Sequence, residues 1–157
     1  MKPQETVDFH IKSTWHALSR MYNQIAADYG MSLSIGYVLI NVMPEGTPAT
    51  KIAPLMGMEP TSLSRLLKTM EDTNLIYREK DAIDKRVVRI HLTNEGILKK
   101  KVAKMVIKKF NEEIYDRIPM EDMVVFFRVI EAINAFSTDY IPPQHRTATE
   151  MLGSQDF

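Results

Sequence analysis

The sequence predicts a mainly α-helical fold with one small β-hairpin. Apolar residues recur at helical spacing along most of the chain, whereas only residues 75 to 93 read as two short strands around a polar turn. The last helical stretch is apolar on more than one face, and a single chain of 157 residues would struggle to cover it. We therefore expect one helical domain over residues 1–157 whose final helix packs against a second subunit.

The first helix is expected over residues 7–29, because its apolar residues fall on one side and Gly30 follows as a stop. A second helix restarts after this glycine, with Ser34 as its expected cap, and the Pro-Glu-Gly break at 44–46 ends it. The apolar face of the first helix consists of Trp15, Leu18, Tyr22, Ile25, Ala26 and Tyr29.

The third helix is expected to open at Thr47 and Pro48, which read as a cap followed by a first-position proline, and to end at Gly57. Pro54 lies inside this segment. Because a proline has no backbone N–H to donate, a kink or a local irregularity is expected there.

A fourth helix is expected from Pro60 to near Asn74, and it is amphipathic. Its apolar side repeats at helical spacing through Leu63, Leu66, Leu67 and Met70. Its opposite side carries hydroxyl and cationic side chains with no acidic residue before Glu71: Thr61, Ser62, Ser64, Arg65, Lys68 and Thr69. Such a face is often plain solvated surface, but it also presents the donors that phosphate oxygens and base edges accept.

The hairpin directly follows this helix, with strands expected at 75–80 and 87–93 and a polar turn between them. In the second strand apolar residues alternate with Arg89 and His91. Three helices with a tight corner before the last, followed by such a hairpin, indicate a helix-turn-helix with a wing. The tip of the wing carries Asp84, Lys85 and Arg86.

Two further helices complete the chain. A long helix is expected from a cap at Thr93 to about Ile118 with its lysines largely outward, and a last helix from Met120 to about Tyr140. Residues 141–157, which begin with a proline pair at 142–143, are expected to form a loose tail. The side chains expected at a dimer interface on the last helix are Phe126, Phe127, Ile130, Ile133 and Phe136.

Composition excludes several functions. The chain has no cysteine, so disulfides, thiolate metal sites, cysteine nucleophiles and thiol-based oxidation sensing are excluded. Its four histidines do not group into a metal site, and no phosphate-binding loop or catalytic constellation can be placed. We expect no enzyme activity, cofactor or metal. No apolar run reaches about 18 residues, so no membrane span is expected, and a cytoplasmic location is the simplest expectation.

The formal net charge is zero, but the charges are unevenly distributed. The net charge is +2 over residues 47–92 and +3 over residues 93–118, against −4 over residues 119–157. A basic centre beside an acidic end indicates that the centre faces an anionic partner.

The ordered set of motifs resembles the MarR family of winged-helix transcriptional regulators. The resemblance rests on residues 53–76, on Asp84-Lys-Arg86 in the wing and on residues 90–96, and the order of elements extends it over nearly the whole chain. There are two departures. The first of two Asp-x-Arg repeats common in the family reads Asp81-Ala-Ile83 here, and Pro54 stands where relatives usually have a helix former.

The resemblance implies a homodimer that binds double-stranded DNA at a pseudo-palindromic operator. It places residues 31–92 in a winged helix-turn-helix lobe, and residues 1–30 and 93–140 in N- and C-terminal dimerisation helices. The fourth helix would lie in the major groove, where Arg65 and Lys68 suit guanine edges or phosphates, and Arg86 would enter the minor groove with Asp84 holding it.

The main hypothesis is therefore a sequence-specific transcriptional regulator, a repressor as in most such families. The alternative is a winged-helix module that binds a protein and does not read DNA. The resemblance further implies release by a small aromatic or phenolic effector. Trp15, Tyr22 and Tyr37, with the lysines of the long helix, are the candidates to line its pocket, although plain core packing is the better explanation for these aromatic residues.

Overall fold

A computed structural model describes residues 2–140, which divide into two compact units. The larger unit comprises residues 7–109, and the smaller comprises residues 2–6 and 110–140. Most of the described chain is helical, and the three strands form one small antiparallel sheet, so the predicted fold class is confirmed. The elements are α1 (Val7–Asp28), α2 (Leu33–Asn41), β1 (Thr47–Pro48), α3 (Ala49–Met56), α4 (Pro60–Asp72), β2 (Ile76–Lys80), β3 (Val88–Leu92), α5 (Asn94–Arg117) and α6 (Met120–Asp139), preceded by a 3-10 turn at Pro3–Glu5.

The core of the larger unit lies between α2, α3, α4 and the sheet. The largest fully buried side chains come from all of these elements: Val38, Leu39, Val42, Ile52, Met70, Ile76 and Ile90. Burying one such side chain stabilises the fold by about 1.5–3 kcal/mol. Since each helix contributes an apolar stripe to this cluster, its rotation about its own axis is fixed, and so is the direction of its outer face.

The sheet has the order β1-β3-β2. The sequence predicts the hairpin strands β2 and β3 but not the short strand β1. Thr47 pairs with Ile90 and Pro48 with Arg89, and α3 begins only at Ala49. The prediction that Thr47 caps α3 is therefore wrong. Its hydroxyl oxygen instead accepts the N–H of Met43 at 2.9 Å. Thr47 is thus engaged in the loop before the strand, and this excludes it from the helix cap.

The cap of α2 also differs from the prediction. The Ser32 hydroxyl oxygen accepts the N–H of Ile35 at 3.3 Å, and Ser34 lies inside the helix. The N–H of Leu33 donates to Asn23 Oδ1 at 2.9 Å, so a side chain of α1 satisfies a second free donor at the start of α2. Because that contact fixes the start of the helix, Ser32 and not Ser34 occupies the cap position.

The corner between α3 and α4 places the two helices of the helix-turn-helix. The α-helix continues across Pro54 to Met56 and ends at Gly57, whose φ is +58°. The N–H of Met58 donates back to the carbonyl of Ala53 at 3.1 Å. A left-handed residue with such a return hydrogen bond is a common helix end, and glycine adopts this conformation without a steric penalty.

The smaller unit contains α6, which begins after Pro119 as expected. Met123 is its only buried residue among those described. The three phenylalanines that the sequence assigns to a dimer interface are 44–68% exposed, and Ile130 and Ile133 are half-buried. The expected loose tail and the proline pair at 142–143 lie outside the described residues. None of the described helices is both long and apolar enough to cross a membrane.

Candidate nucleic-acid interface

Helix α4 presents the polar face that the sequence predicts. Leu63, Leu67 and Met70 are buried, which turns the opposite side of the helix outward. All six of the predicted polar side chains are exposed: Thr61, Ser62, Ser64, Arg65, Lys68 and Thr69. Pro60 occupies the first position of the helix, where a missing N–H leaves no hydrogen bond unmade. The structure therefore gathers these donors on one solvent-facing surface.

The cations of this surface differ in their intramolecular partners. Lys68 Nζ lies 3.1 Å from Asp72 Oδ1, one helical turn further on, in a solvent-exposed ion pair. Such pairs contribute little stability, so Lys68 is easily released. Arg65 forms no ion pair within the described chain. Its guanidinium is therefore the cation of α4 with its full set of donors available to another molecule.

At the wing tip, Asp84 holds Arg86 by three hydrogen bonds. Arg86 donates to Asp84 Oδ1 from its backbone N–H at 3.1 Å and from Nε at 3.0 Å, and Nη2 donates to Oδ2 at 3.0 Å. The side-chain bonds from Arg86, followed by its backbone N–H, lower the pKa of Asp84, and the same carboxylate raises the pKa of Arg86. The Arg86 side chain is 90% exposed. An oriented cation thus projects from the tip into solvent.

Asp81 organises the rest of the turn, a role that the sequence analysis missed. Its Oδ1 accepts the N–H groups of Ile83 at 2.8 Å and Asp84 at 3.0 Å, and its Oδ2 accepts Arg89 Nε. The hydrogen bond from Asp84 N–H, then those from Arg89 and Ile83, lower the pKa of Asp81 to about 2. An Asp that precedes a turn often forms such backbone bonds, so this signal was available in the sequence.

In the wing turn, an exposed apolar side chain occupies a position where the Asp-x-Arg pattern has an arginine. Ile83 stands where the first Asp-x-Arg repeat would have its arginine, and it is 96% exposed. Asp81 of that repeat still accepts two backbone N–H groups, so the turn keeps its anchor although the arginine is absent. The wing therefore offers Lys85 and Arg86 as its tip cations.

The three aromatic residues proposed for an effector pocket do not share one cavity. Trp15 and Tyr37 stack with ring centroids 6.4 Å apart and line an open pocket of about 270 Å³. Tyr22 and Tyr37 line a separate cavity of about 40 Å³, and burial raises the pKa of Tyr22. That volume is well below the ~150 Å³ of an apolar cavity that admits benzene. As it stands, Tyr22 serves the packing of α1 against α2.

The lysines of α5 are largely outward, as predicted, but Lys99 and Lys100 are half-buried. Lys99 Nζ donates to the carbonyl of Tyr29, just after α1, and Lys100 Nζ donates to the carbonyl of Val42, just after α2. Carbonyls at a helix C-terminus carry partial negative charge, so a cation is favoured there. Neither the lysines of α5 nor any other charged residue lines the two aromatic pockets within the part of the chain described.

We also searched the described residues for side chains that could together ligate a metal ion. Within residues 2–140, no three of the His, Asp and Glu residues come close enough to hold a metal ion.

Comparison of the sequence with known families and proteins gives matches over part of the chain. The family model described as "MarR family" matches residues 39–88, a span that includes α4 and the wing tip. The HTH-type transcriptional regulator MgrA of Staphylococcus aureus is 26% identical over 96 residues, which are 59% of this chain and 65% of MgrA. The similarity thus spans slightly less than two-thirds of the length of that relative.

Comparison of the structure extends over more of the chain. The Staphylococcus aureus MepR–DNA complex has a TM-score of 0.72 at 19% identity, over 83% of this chain and 98% of that one. CouR from Rhodococcus jostii RHA1, bound to p-coumaroyl-CoA, has a TM-score of 0.76 at 20% identity, over 91% and 99%. These TM-scores establish a shared fold, and at such low identities they establish the fold alone.

Proposed function

The chain belongs to the MarR family of transcriptional regulators, and from this premise we propose that it is a sequence-specific double-stranded DNA-binding regulator. The observation that carries the proposal is the outer face of α4, where six donor side chains are exposed and Arg65 is without an ion pair in the described residues. No acidic residue precedes Glu71 on this helix. Such a face suits a polyanion whose grooves present acceptors.

On this proposal α4 lies in the major groove. Arg65 donates two parallel hydrogen bonds to a guanine edge, while Lys68 exchanges Asp72 for a phosphate or a base. The hydroxyls of Thr61, Ser62 and Ser64 lie near the N-terminus of the helix, where free backbone N–H groups also favour a phosphate. Thr69 is exposed one turn beyond Arg65 and contacts the same groove.

The wing would contribute the flanking contact. Arg86 is exposed and oriented by Asp84, so it enters a narrow minor groove with little loss of side-chain freedom. Lys85 then lies next to the phosphate backbone. Ile83 takes the place of a second arginine, so we expect fewer charged contacts in the minor groove than two Asp-x-Arg repeats would give.

We further propose that the chain acts as a homodimer through α6. A dimer would cover the exposed phenylalanines and complete the burial of Ile130 and Ile133. It would also present two copies of α4, which matches a pseudo-palindromic operator. By analogy with the family we propose a repressor, located in the cytoplasm.

Control by a small aromatic or phenolic effector is the last part of this proposal. CouR is described as bound to p-coumaroyl-CoA, which is a precedent for a ligand in a protein of this fold. In this chain the cavity beside Tyr22 and Tyr37 would have to enlarge before an aromatic ring could enter. Tyr22 is buried, whereas Trp15 is accessible, so an effector would first meet the Trp15 and Tyr37 pair.

The test is a selection of duplexes by the full chain, followed by affinity measurements over a range of salt concentrations. A reader of DNA should enrich a pseudo-palindrome, and its log affinity should fall linearly with log salt with a slope of about −0.9 per neutralised phosphate. Failure to enrich any sequence at low salt would contradict the proposal. The alternative, a protein-interaction module, is not favoured, because both MgrA and the matched family are transcription regulators.

A further inference from the structure

We propose that a further pocket, at the base of the wing, binds a phosphorylated small molecule that carries a planar ring. The pocket has a volume of about 520 Å³ and is lined by the end of α2, by β2 and β3, and by the first half of α5. We call it the lysine pocket, defined by Lys100, Lys101 and Lys104 together with Tyr77 and His91. Its volume is in the range of ordinary ligand sites.

The charge of this pocket is one-sided. Lys104 follows Lys100 by four residues and Lys101 by three on α5, and like charges at these two spacings repel one another. None of the residues described as lining the pocket is acidic. Lys101 and Lys104 form no ion pair anywhere in residues 2–140. The cluster is therefore uncompensated within the described chain, and an anion in the pocket would relieve the repulsion.

The environment of Lys100 strengthens the preference for an anion. Its Nζ donates to the carbonyl of Val42, which holds the ammonium group at the edge of the pocket. Partial burial, and next the charge of Lys104, lower the pKa of Lys100. A phosphate close to Lys100 and Lys104 would offset the repulsion between their two ammonium groups and so raise the pKa of Lys100. A phosphate offers more negative charge and more acceptor oxygens than a single carboxylate, so it suits three clustered ammonium groups better.

The opposite wall of the pocket is aromatic. Tyr77 and His91 pair across β2 and β3 and stack with ring centroids 5.2 Å apart and an interplanar angle of 17°. Tyr77 remains 46% exposed, so its ring can receive a further planar group. Glu79 Oε2 lies 3.8 Å from His91 Nε2, and Glu79 lines a different pocket.

The lysine pocket is separate from the interface proposed for DNA. None of the six polar residues of α4 lines it, and neither do Asp84, Lys85 and Arg86 of the wing tip. It also shares no aromatic residue with the pockets beside Tyr22 and Trp15, and Ile40 is the only residue common to it and the smaller of them. The inference thus does not depend on which effector, if any, enters those pockets.

The probes are AMP, pyrophosphate and adenosine, titrated separately into the full chain by calorimetry. We expect AMP to bind at least tenfold more tightly than adenosine, which has the ring but no phosphate. Changing both Lys101→Gln and Lys104→Gln should weaken AMP and pyrophosphate at least tenfold. Lys109→Gln is the control, because it removes a lysine charge from α5 outside the pocket, and it should leave both affinities unchanged.

A third variant tests the planar ring. Tyr77→Ser should weaken AMP severalfold and leave pyrophosphate unchanged, and thermal unfolding of the variant establishes that it is folded. Binding of AMP no tighter than that of adenosine, or unchanged binding by the double lysine variant, would overturn the proposal.

A duplex arm distinguishes a small molecule from the phosphates of the DNA backbone. If the double lysine variant loses affinity for DNA while wild-type protein binds neither AMP nor pyrophosphate below 10 mM, the lysines serve DNA and the inference is wrong. If AMP binds as expected although no duplex is enriched, the lysine pocket stands and the proposed function fails.

Discussion

Asp81 and Arg89 form an ion pair that joins the start of the wing turn to strand β3. Arg89 also donates from Nη1 to the carbonyl of Gly46 at 3.0 Å, in the loop before β1. Asp81 at the same time accepts two N–H groups of the turn. One carboxylate and one guanidinium thus connect the wing tip to the neighbouring loop. They orient the tip without occupying its exposed surface.

Replacing Asp81 by Asn should loosen the wing tip and change how stability depends on pH. The carboxyl pKa is about 2 in the folded chain and 3.8 ordinarily, so ionised Asp81 stabilises the fold above pH 3.8. This contribution should decline as the pH falls from 3.8 towards 2. In urea unfolding, the free energy of unfolding of the wild type should exceed that of Asp81→Asn by a constant amount above pH 5. This difference should shrink below pH 4.

Asp116→Asn is the control for that experiment, since Asp116 is exposed and makes no ion pair within the described residues. Its difference from wild type should be small at every pH. An advantage over Asp81→Asn that grows on acidification would contradict the assigned role of Asp81.

Arg65→Ala should remove base preference at one position of each half-site. A bidentate arginine contact to guanine discriminates by about 1–3 kcal/mol against the wrong base pair. Competition binding with single-base variants of the selected duplex would measure this loss. Arg20→Ala, an exposed charge removal on α1, should lower affinity slightly and keep the preference. Equal preference profiles for Arg65→Ala and wild type would remove Arg65 from the interface.

Arg86→Ala should weaken binding to duplexes with A/T-rich flanks more than to duplexes with G/C-rich flanks, because a narrow minor groove attracts the guanidinium most strongly. Asp84→Asn should reduce the same flank preference without lowering overall affinity, since it frees Arg86 from its carboxylate and removes a negative charge near DNA. Combining the two changes gives the decisive measurement. In the Arg86→Ala background, Asp84→Asn should no longer affect the flank preference.

The chain should sediment with twice its mass of 18.1 kDa at micromolar concentration. Phe126→Arg places a charge on the exposed apolar surface of α6 and should shift the mass towards 18.1 kDa. Lys51→Glu, a charge change on the exposed side of α3, should leave the mass unchanged. A wild-type mass of 18.1 kDa would refute the dimer.

Gly96→Ala should destabilise the chain although alanine favours helices by about 1 kcal/mol over glycine. A Cβ at position 96 would lie 2.0 Å from the carbonyl oxygen of Leu75, a backbone atom that also accepts the N–H of Thr93. Relief requires a backbone shift, so we expect a net loss of about 1–3 kcal/mol by chemical unfolding.

Gly36→Ala is the matched control, because its Cβ would meet only Ala103 at 3.7 Å, an ordinary contact. This change should be neutral or stabilising. Loss of stability equal to that of Gly96→Ala would show that the close approach at Leu75 is not the cause.

The sequence by itself determined the features that depend on neighbours a few residues away. The period of Leu63, Leu67 and Met70 fixed which side of α4 faces outward, and all six polar residues lie on that side. The cap at Thr93 is confirmed by the bond from Gly96 N–H to its hydroxyl oxygen at 3.0 Å. Such features follow from helix geometry and capping chemistry, which act over one turn.

Only the tertiary structure decided the features that join distant parts of the chain. Thr47 became part of a strand because β3 supplied a partner, and Lys100 turned inward because the carbonyl of Val42 lay within reach. Asp81 likewise acquired Arg89 through the hairpin register. In each case several local partners are chemically equivalent, and the choice among them depends on which groups folding brings together. Periodicity therefore predicted the face of α4, and long-range packing decided how the wing and the lysines of α5 are held.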